Sequence, residues 1–291
     1  MTPTTPSTRR RRREVGKNAW GTYALLAVLM VVFIFPVFYL IVGSFEPPAL
    51  TLAGLRGVVP TSLTFENYIG LNQQFSNAQF TGSLSGFYTV STIVSLSVVI
   101  GGLVVNSLAG YSLARMKYRG RRHILLGVII LVIIPFESIA VPLYYMLQGL
   151  RNTIQVQAIP FIGSAFSIYL FYTFFLALPP QLEEAAKIDG AGPWRTYLQI
   201  ILPNAKPAFA SVAILSFIQA WSSYLWPLMM TSQPNVYPLP IAIGNLVKQQ
   251  SVPNYGQMFA FGVILVVPMA IFFIVFQRWF IRSVASLAVK G

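Results

Sequence analysis

Long apolar runs with little or no charge alternate with polar segments along most of the chain. An α-helix needs about 20 predominantly apolar residues to cross the hydrocarbon core of a bilayer. Six runs reach that length, so the pattern predicts an all-α membrane protein with six transmembrane helices. We place these helices at residues 20–42, 87–114, 124–146, 153–178, 208–230 and 255–276.

A polar segment, residues 179–203, separates the fourth and fifth predicted spans. Pro179 and Pro180 end the preceding helix and start a short one, because proline lacks the backbone N–H that a helix interior needs. Gly190 ends that helix, since glycine adopts the left-handed cap conformation without a Cβ penalty. Pro193 starts a second helix, whose apolar side chains recur at helical spacing: Trp194, Tyr197, Leu198, Ile201 and Leu202. We therefore predict a helix, glycine turn, helix unit outside the bilayer.

The first helix of this unit begins with an acidic turn, which suits a helix N-terminus. Three of the chain's seven acidic residues lie in the unit: Glu183, Glu184 and Asp189. Leu182, Ala185 and Ala186 share one face at helical spacing. We predict that this nearly flat face is presented outward, where it can lie closely in a partner's groove.

The unit resembles the EAA loop of permease subunits of binding-protein-dependent ABC importers. The family pattern is E-A-A, three residues, G, nine residues, I, one residue and L-P, which the chain fills with Glu184, Ala185, Ala186, Gly190, Ile200, Leu202 and Pro203. In that family the loop is the coupling helix that docks on the ATP-binding subunit. The resemblance implies an ATPase-coupling site formed by Glu183, Glu184, Ala185, Ala186, Asp189, Gly190 and Ala191. The residues by themselves also fit a plain amphipathic connector between membrane helices.

Two further segments carry the resemblance. Residues 106–115 resemble the family's segment before its first cytoplasmic loop, and residues 276–291 resemble the tail found in the carbohydrate-uptake branch, related to the smaller maltose-transporter permease. Ser283 and Leu287 stand where glycines are usual in that tail. The resemblance implies the type I ABC importer permease fold, with six transmembrane helices and a cytoplasmic coupling helix.

For function, the resemblance implies the transmembrane permease subunit of an ATP-driven importer of a sugar or oligosaccharide. It implies two ABC ATPase subunits, a second permease subunit and an extracellular solute-binding protein as partners. The sequence has no G-x-x-x-x-G-K-[ST] loop, so we expect no cofactor on this chain, with ATP and Mg on the ATPase subunits. Alternatives stay open: the same architecture importing a phosphorylated polyol or a polyamine, an ion-coupled secondary carrier, and a membrane-embedded enzyme, for which no catalytic motif is present.

Two polar places within the predicted spans are candidates for the solute pathway. Glu137 is the only acidic residue inside a span, and an intramembrane carboxylate is costly enough to suggest a function. The fifth span combines aromatic rings, which can stack on a sugar ring, with hydroxyl groups, which can bond to its edges: Trp221, Ser222, Ser223, Tyr224 and Trp226. A structural glutamate and an interfacial aromatic belt are the corresponding structural explanations.

Composition agrees with a membrane protein, because 55% of the residues are hydrophobic and 9% are charged, whereas soluble domains carry about a quarter charged residues. The chain has no cysteine, and its single histidine, His123, lies in a basic run, so we predict no metal site. The net charge of +13 could indicate a nucleic-acid partner. However, residues 9–13 are five arginines directly before the first predicted span, so membrane topology accounts for them and we predict no nucleic-acid partner.

The distribution of basic residues predicts the orientation. With both termini cytoplasmic, seventeen of the twenty Lys and Arg residues lie inside, and only three lie outside: Arg56, Arg151 and Lys248. We therefore predict a multi-pass protein of the bacterial cytoplasmic (inner) membrane, surrounded by lipid. Its predicted parts are a disordered arm at 1–18, a permease domain at 19–282 with the coupling loop at 179–203, and a cytoplasmic tail at 283–291.

Overall fold

The computed structural model describes residues 19–47, 51, 62–76, 82–249 and 253–288. The predicted arm, residues 1–18, and the last three residues of the predicted tail lie outside this range. The described residues form helices, which we number in chain order: α1 Ala19–Ser44, α2 Glu66–Ser76, α3 Leu84–Arg115, α4 Arg121–Ile133, α5 Phe136–Met146, α6 Ile154–Ile162, α7 Ala165–Ala177, α8 Gln181–Ile188, α9 Pro193–Thr196, α10 Leu202–Asn204, α11 Lys206–Trp221, α12 Leu225–Met230, α13 Leu239–Gln249 and α14 Tyr255–Ala288.

Four of the predicted spans are recovered as helical segments that are long and apolar enough to cross a bilayer: Trp20–Ser44, Leu84–Arg115, Ile154–Ala177 and Tyr255–Trp279. The third of these segments consists of α6 and α7, which are separated at Gly163 and Ser164. Up to six spans are present in the described residues if each of two bent helix pairs counts as one span. The first, second, fourth and sixth predicted spans therefore correspond to single apolar segments of the structure.

The third predicted span is not one continuous helix. Helices α4 and α5 meet at 103° across Ile134 and Pro135. Ile134 has an extended backbone, which is the conformation that a following proline favours, and Pro135 cannot supply the N–H that would continue α4. Both halves of this predicted span are helical, and the break falls at Pro135, the first of the two prolines in the segment; the second, Pro142, lies inside α5.

The fifth predicted span is also interrupted, since α11 ends at Trp221 and α12 begins at Leu225. Helix α14, in contrast, continues without a break to Ala288, past residue 283 where we placed the start of the tail. Its central proline, Pro268, does not divide it.

The chain divides into two compact units, Met1–Ile69 with Asn254–Val263, and Gly70–Pro253 with Ile264–Gly291. In the described part of the first unit, the Tyr39 ring packs edge-on against Phe259, with 5.8 Å between ring centroids. Asn67 Nδ2 donates hydrogen bonds to the backbone carbonyls of Ser44 and Glu46. These contacts fix the chain that leaves α1.

In the second unit, α3 is the central helix and packs on α6, α7 and α11. The contact with α7 is close, because a Cβ added at Gly110 would lie 2.6 Å from Phe171 Cβ. One core cluster joins these spans to the residues that follow α9: Tyr111, Ala114, Phe171, Phe175, Tyr197, Ile201, Ala205, Ala208 and Val212. The segment after the glycine turn is thus continuous with the core of the spans.

Candidate coupling site

Helix α8 ends as the sequence predicts. Gly190 has a φ of +72°, the left-handed conformation that favours glycine. The Ala191 N–H donates to the Ala186 carbonyl at 2.9 Å, and the Gly190 N–H donates to the Lys187 carbonyl at 3.1 Å. This pair of bonds is the Schellman motif, which satisfies carbonyls that a helix end leaves free. The predicted glycine cap is confirmed.

The second helix of the unit is anchored on α3. It runs from Pro193 to Asn204 with a π-helical turn at Tyr197–Ile201. The hydroxyl groups of Tyr197 and Ser107 are hydrogen-bonded at 2.7 Å, and the Tyr197 ring packs on Tyr111, with 5.1 Å between centroids. Tyr197 and Ile201 are buried, whereas Trp194 and Leu198 are exposed. Only part of the predicted apolar stripe therefore packs on the chain.

The outward face of α8 differs from the predicted one. Ala186 is only 2% exposed and packs inward, so the prediction that Leu182, Ala185 and Ala186 together form the exposed face is wrong. The exposed residues of α8 are instead Gln181, Glu184, Ala185 and Ile188, with Lys187 exposed on the flank of this face. At helical spacing, 181, 184, 185 and 188 form one face, with the Ile188 side chain 86% exposed.

The two neighbouring acids of α8 point in different directions. Glu184 is exposed, as is Asp189 at the end of the helix. Glu183 is turned toward the chain, where its Oε1 lies 3.5 Å from Arg115 Nε, and the side chains are 14% and 12% exposed. The sequence interpretation placed Glu183 among the docking residues and overlooked Arg115. Its position in the last turn of a helix, where a cation is favoured, was the available signal.

A cavity of about 410 Å³ lies beside this ion pair, between the end of α3 and the coupling unit. Its wall carries charges of both signs, from Arg115, Lys117, Glu183 and Lys187. Among the described residues, no cluster of three or more His, Cys, Asp or Glu side chains could hold a metal ion.

Two of the solute-pathway candidates are packed inside the chain. Trp221 and Trp226 are 2% and 1% exposed. Their indole N–H groups donate to the carbonyls of Leu265 at 3.0 Å and Val156 at 2.8 Å. In this structure neither ring offers a free face to a sugar.

The break between α11 and α12 places the other candidates of the fifth span in non-helical backbone. Ser222 and Tyr224 are exposed, and Ser223 is partly buried. Ser222 Oγ donates to the Ile218 carbonyl at 2.7 Å. Glu137 is exposed in the first turn of α5, next to the break between α4 and α5. The structure thus places the polar candidates beside helix interruptions, which bilayer-spanning proteins tolerate within protein or along a wet cavity.

Residues 106–286 match the family model described as the binding-protein-dependent transport system inner membrane component. The chain belongs to this family. The coupling unit, the interrupted third and fifth spans and all candidate site residues lie within the matched range. The family predicted from the EAA loop is therefore confirmed.

Similarity to known permeases extends beyond the matched range. This permease is 32% identical over 277 residues to the arabinooligosaccharides transport system permease protein of Halalkalibacterium halodurans, covering 94% of this chain and 97% of the relative. It is 32% identical over 270 residues to the diacetylchitobiose uptake system permease protein of Streptomyces coelicolor, covering 91% and 87%.

A solved structure shows the same fold. The permease matches a chain of a bacterial ABC transporter involved in the import of the acidic polysaccharide alginate, with a TM-score of 0.74 and 21% identity over 95% of this chain and 100% of that chain. The predicted type I permease fold is confirmed, and the permease is a multi-pass membrane protein.

Proposed function

We propose that this permease imports a neutral sugar or oligosaccharide across the bacterial cytoplasmic membrane, driven by ATP bound to partner subunits. The observation that carries the proposal is the 32% identity to an arabinooligosaccharides transport permease over nearly the whole of both chains. The second relative, a diacetylchitobiose uptake permease, supports the same class of solute.

The charge of the spans supports a neutral solute. None of the six predicted spans contains a lysine or arginine, which a pathway for a phosphorylated polyol would need to stabilise the phosphate. A polyamine would need acidic groups, and Glu137 is the only one in these spans. The exposed residues Ser222 and Tyr224, at the break of the fifth span, carry hydroxyl groups, which suit the hydroxyl groups of a sugar.

In the proposed mechanism the coupling unit acts as a rigid lever. Closure of two ATPase subunits would move residues 179–203 and switch the cavity between this permease and a second permease from outward to inward access. The Schellman cap at Gly190 and the Tyr197–Ser107 hydrogen bond support a unit that moves with the spans. The chain itself would be non-catalytic, with ATP and Mg on the ATPase subunits and an extracellular binding protein delivering the solute.

The exposed face of α8 is the proposed contact with the ATPase. Glu184 and Asp189 would meet basic groups, and Ala185 would allow close approach of the partner's backbone. The exposed Ile188 adds apolar surface, whose burial against a partner is favourable. Basic residues concentrated on one side support an orientation with this face and both termini in the cytoplasm.

Uptake by the assembled importer in proteoliposomes tests the proposal. With binding protein outside and ATP inside, we expect labelled arabino-oligosaccharide or diacetylchitobiose to accumulate, and labelled glycerol phosphate and spermidine to stay outside. Accumulation of glycerol phosphate or spermidine instead would overturn the neutral solute. Uptake driven by a proton gradient without ATP would identify an ion-coupled carrier, and chemical conversion of solute by the purified chain would identify an enzyme.

A further inference from the structure

Arg115, the last residue of α3, contacts two other elements at once. Its Nη2 donates hydrogen bonds to the carbonyl oxygens of Phe175 at 2.6 Å and Leu178 at 2.5 Å, at the end of α7. Its Nε lies 3.5 Å from Oε1 of Glu183 on α8. One guanidinium therefore joins two spans to the first helix of the coupling unit.

The geometry uses a property that only arginine has. A helix end leaves carbonyl groups without intrahelical donors, and the planar guanidinium can supply donors to them from one edge while another edge faces a carboxylate. A lysine ammonium is a compact point charge and lacks this fork. Arginine at position 115 can thus cap α7 and hold α8 together, whereas lysine cannot do both with the same geometry.

The pair is shielded from solvent, since the two side chains are 12% and 14% exposed. Arg115 Nε and Glu183 Oε1 are buried and form no hydrogen bond with the residues that the structure describes, so their ionic contact is the interaction that each of these atoms has. Among the residues that the structure describes, Arg115 and Glu183 form the only ion pair. Breaking such a pair leaves a buried charge uncompensated, which costs more than losing an exposed surface pair.

We propose that Arg115 is the positioning residue through which movement of α8 reaches α3 and α7. This proposal rests on the lever described above, and it gives the two adjacent acidic residues of α8 different roles. Glu184 faces the ATPase, and Glu183 faces Arg115. Loss of the inner contact leaves α8 free to move with the ATPase while the spans do not follow.

The test compares variants of the reconstituted importer: Arg115→Lys, Glu183→Gln, both together, and Glu184→Gln. Arg122→Gln is the matched control, because Arg122 is an exposed cation near the same end of the spans. Each variant is measured for ATPase subunits retained on purification, rate of ATP hydrolysis, unfolding temperature, and labelled oligosaccharide imported per ATP hydrolysed.

For Arg115→Lys and Glu183→Gln we expect retained ATPase subunits and continued hydrolysis, with oligosaccharide per ATP lowered roughly three- to tenfold. The double variant should lose no more than the worse single variant, since both changes remove one contact. Glu184→Gln should instead release the ATPase subunits, and Arg122→Gln should match the unaltered importer.

An unchanged import ratio in both single variants, or multiplied losses in the double variant, would overturn the role of Arg115. So would loss of ATPase subunits or a lowered unfolding temperature that accounts for the whole effect, because the contact would then be only structural. If the unaltered importer shows no ATP-dependent uptake, the proposed function fails instead.

Discussion

At the scale of single residues, two glycines of the coupling unit allow the effect of backbone strain to be distinguished from the effect of steric crowding. Gly190 has a φ of +72°, which strains any residue with a side chain, and Gly192 has an ordinary φ of −69°. In the part of the chain that the structure describes, a Cβ added at either position would have no neighbour within 4 Å. The two positions therefore differ in backbone conformation and not in available space.

We predict that Gly190→Val strains the turn by about 1–2 kcal/mol and lowers solute uptake while the spans stay folded. Gly192→Val, two residues beyond Gly190 and at an ordinary φ, should leave uptake close to normal. Uptake into proteoliposomes, unfolding temperature and co-purification of ATPase subunits are the measurements. Normal uptake by the Gly190→Val importer with its ATPase subunits bound would contradict the rigid lever.

At the scale of elements, the break in the fourth span depends on a side chain from α3. Helices α6 and α7 are separated at Gly163 and Ser164. Asn106 Nδ2 donates to the Ile162 carbonyl at 2.9 Å, and Asn106 Oδ1 accepts from the Ser164 N–H at 2.9 Å. One amide thus satisfies two of the backbone groups at the break, in a region where lipid supplies no substitute.

We predict that Asn106→Ala destabilises the permease by about 1–3 kcal/mol, because a donor and an acceptor lose their partner. Ser95→Ala is the matched control, since Ser95 lies on the same helix, is fully buried, and its hydroxyl has no hydrogen-bond partner among the described residues. Unfolding temperatures in detergent should fall for Asn106→Ala and stay equal or rise for Ser95→Ala. Equal values for the two variants would contradict the bridging role of Asn106.

At the scale of the whole molecule, the absence of cysteine from the sequence allows the orientation to be mapped directly. Asp189 and Arg151 are both exposed, and the orientation that the basic residues favour places them on opposite sides of the membrane. A single cysteine introduced at either position would report which side it occupies.

We predict that a membrane-impermeant maleimide added to spheroplasts labels Arg151→Cys and leaves Asp189→Cys unlabelled until the membrane is permeabilised. Uptake activity of each variant serves as the control for correct assembly. Labelling of Asp189→Cys in intact spheroplasts would place the coupling unit outside and contradict its contact with an ATPase.

The sequence alone predicted the apolar segments, the coupling unit and the cap at Gly190. These features depend on the length of each apolar run and on local stereochemistry, and both are determined by residues close together in the sequence. The proline at position 135 is likewise a local signal for a break. The angle of 103° does not follow from the proline, because a missing backbone hydrogen bond permits a bend without setting its size.

Only the tertiary structure decided which side chains of those elements meet. Glu183 and Ala186 face inward, and Trp221 and Trp226 are buried, because of contacts with other helices. Arg115 and Asn106 bridge residues that are far apart in sequence, such as Asn106 and Ser164 at a separation of 58. A periodic pattern identifies the faces of a helix but does not identify the neighbour against which each face packs. That choice is made when whole helices pack together, and close packing then fixes each side chain in one position.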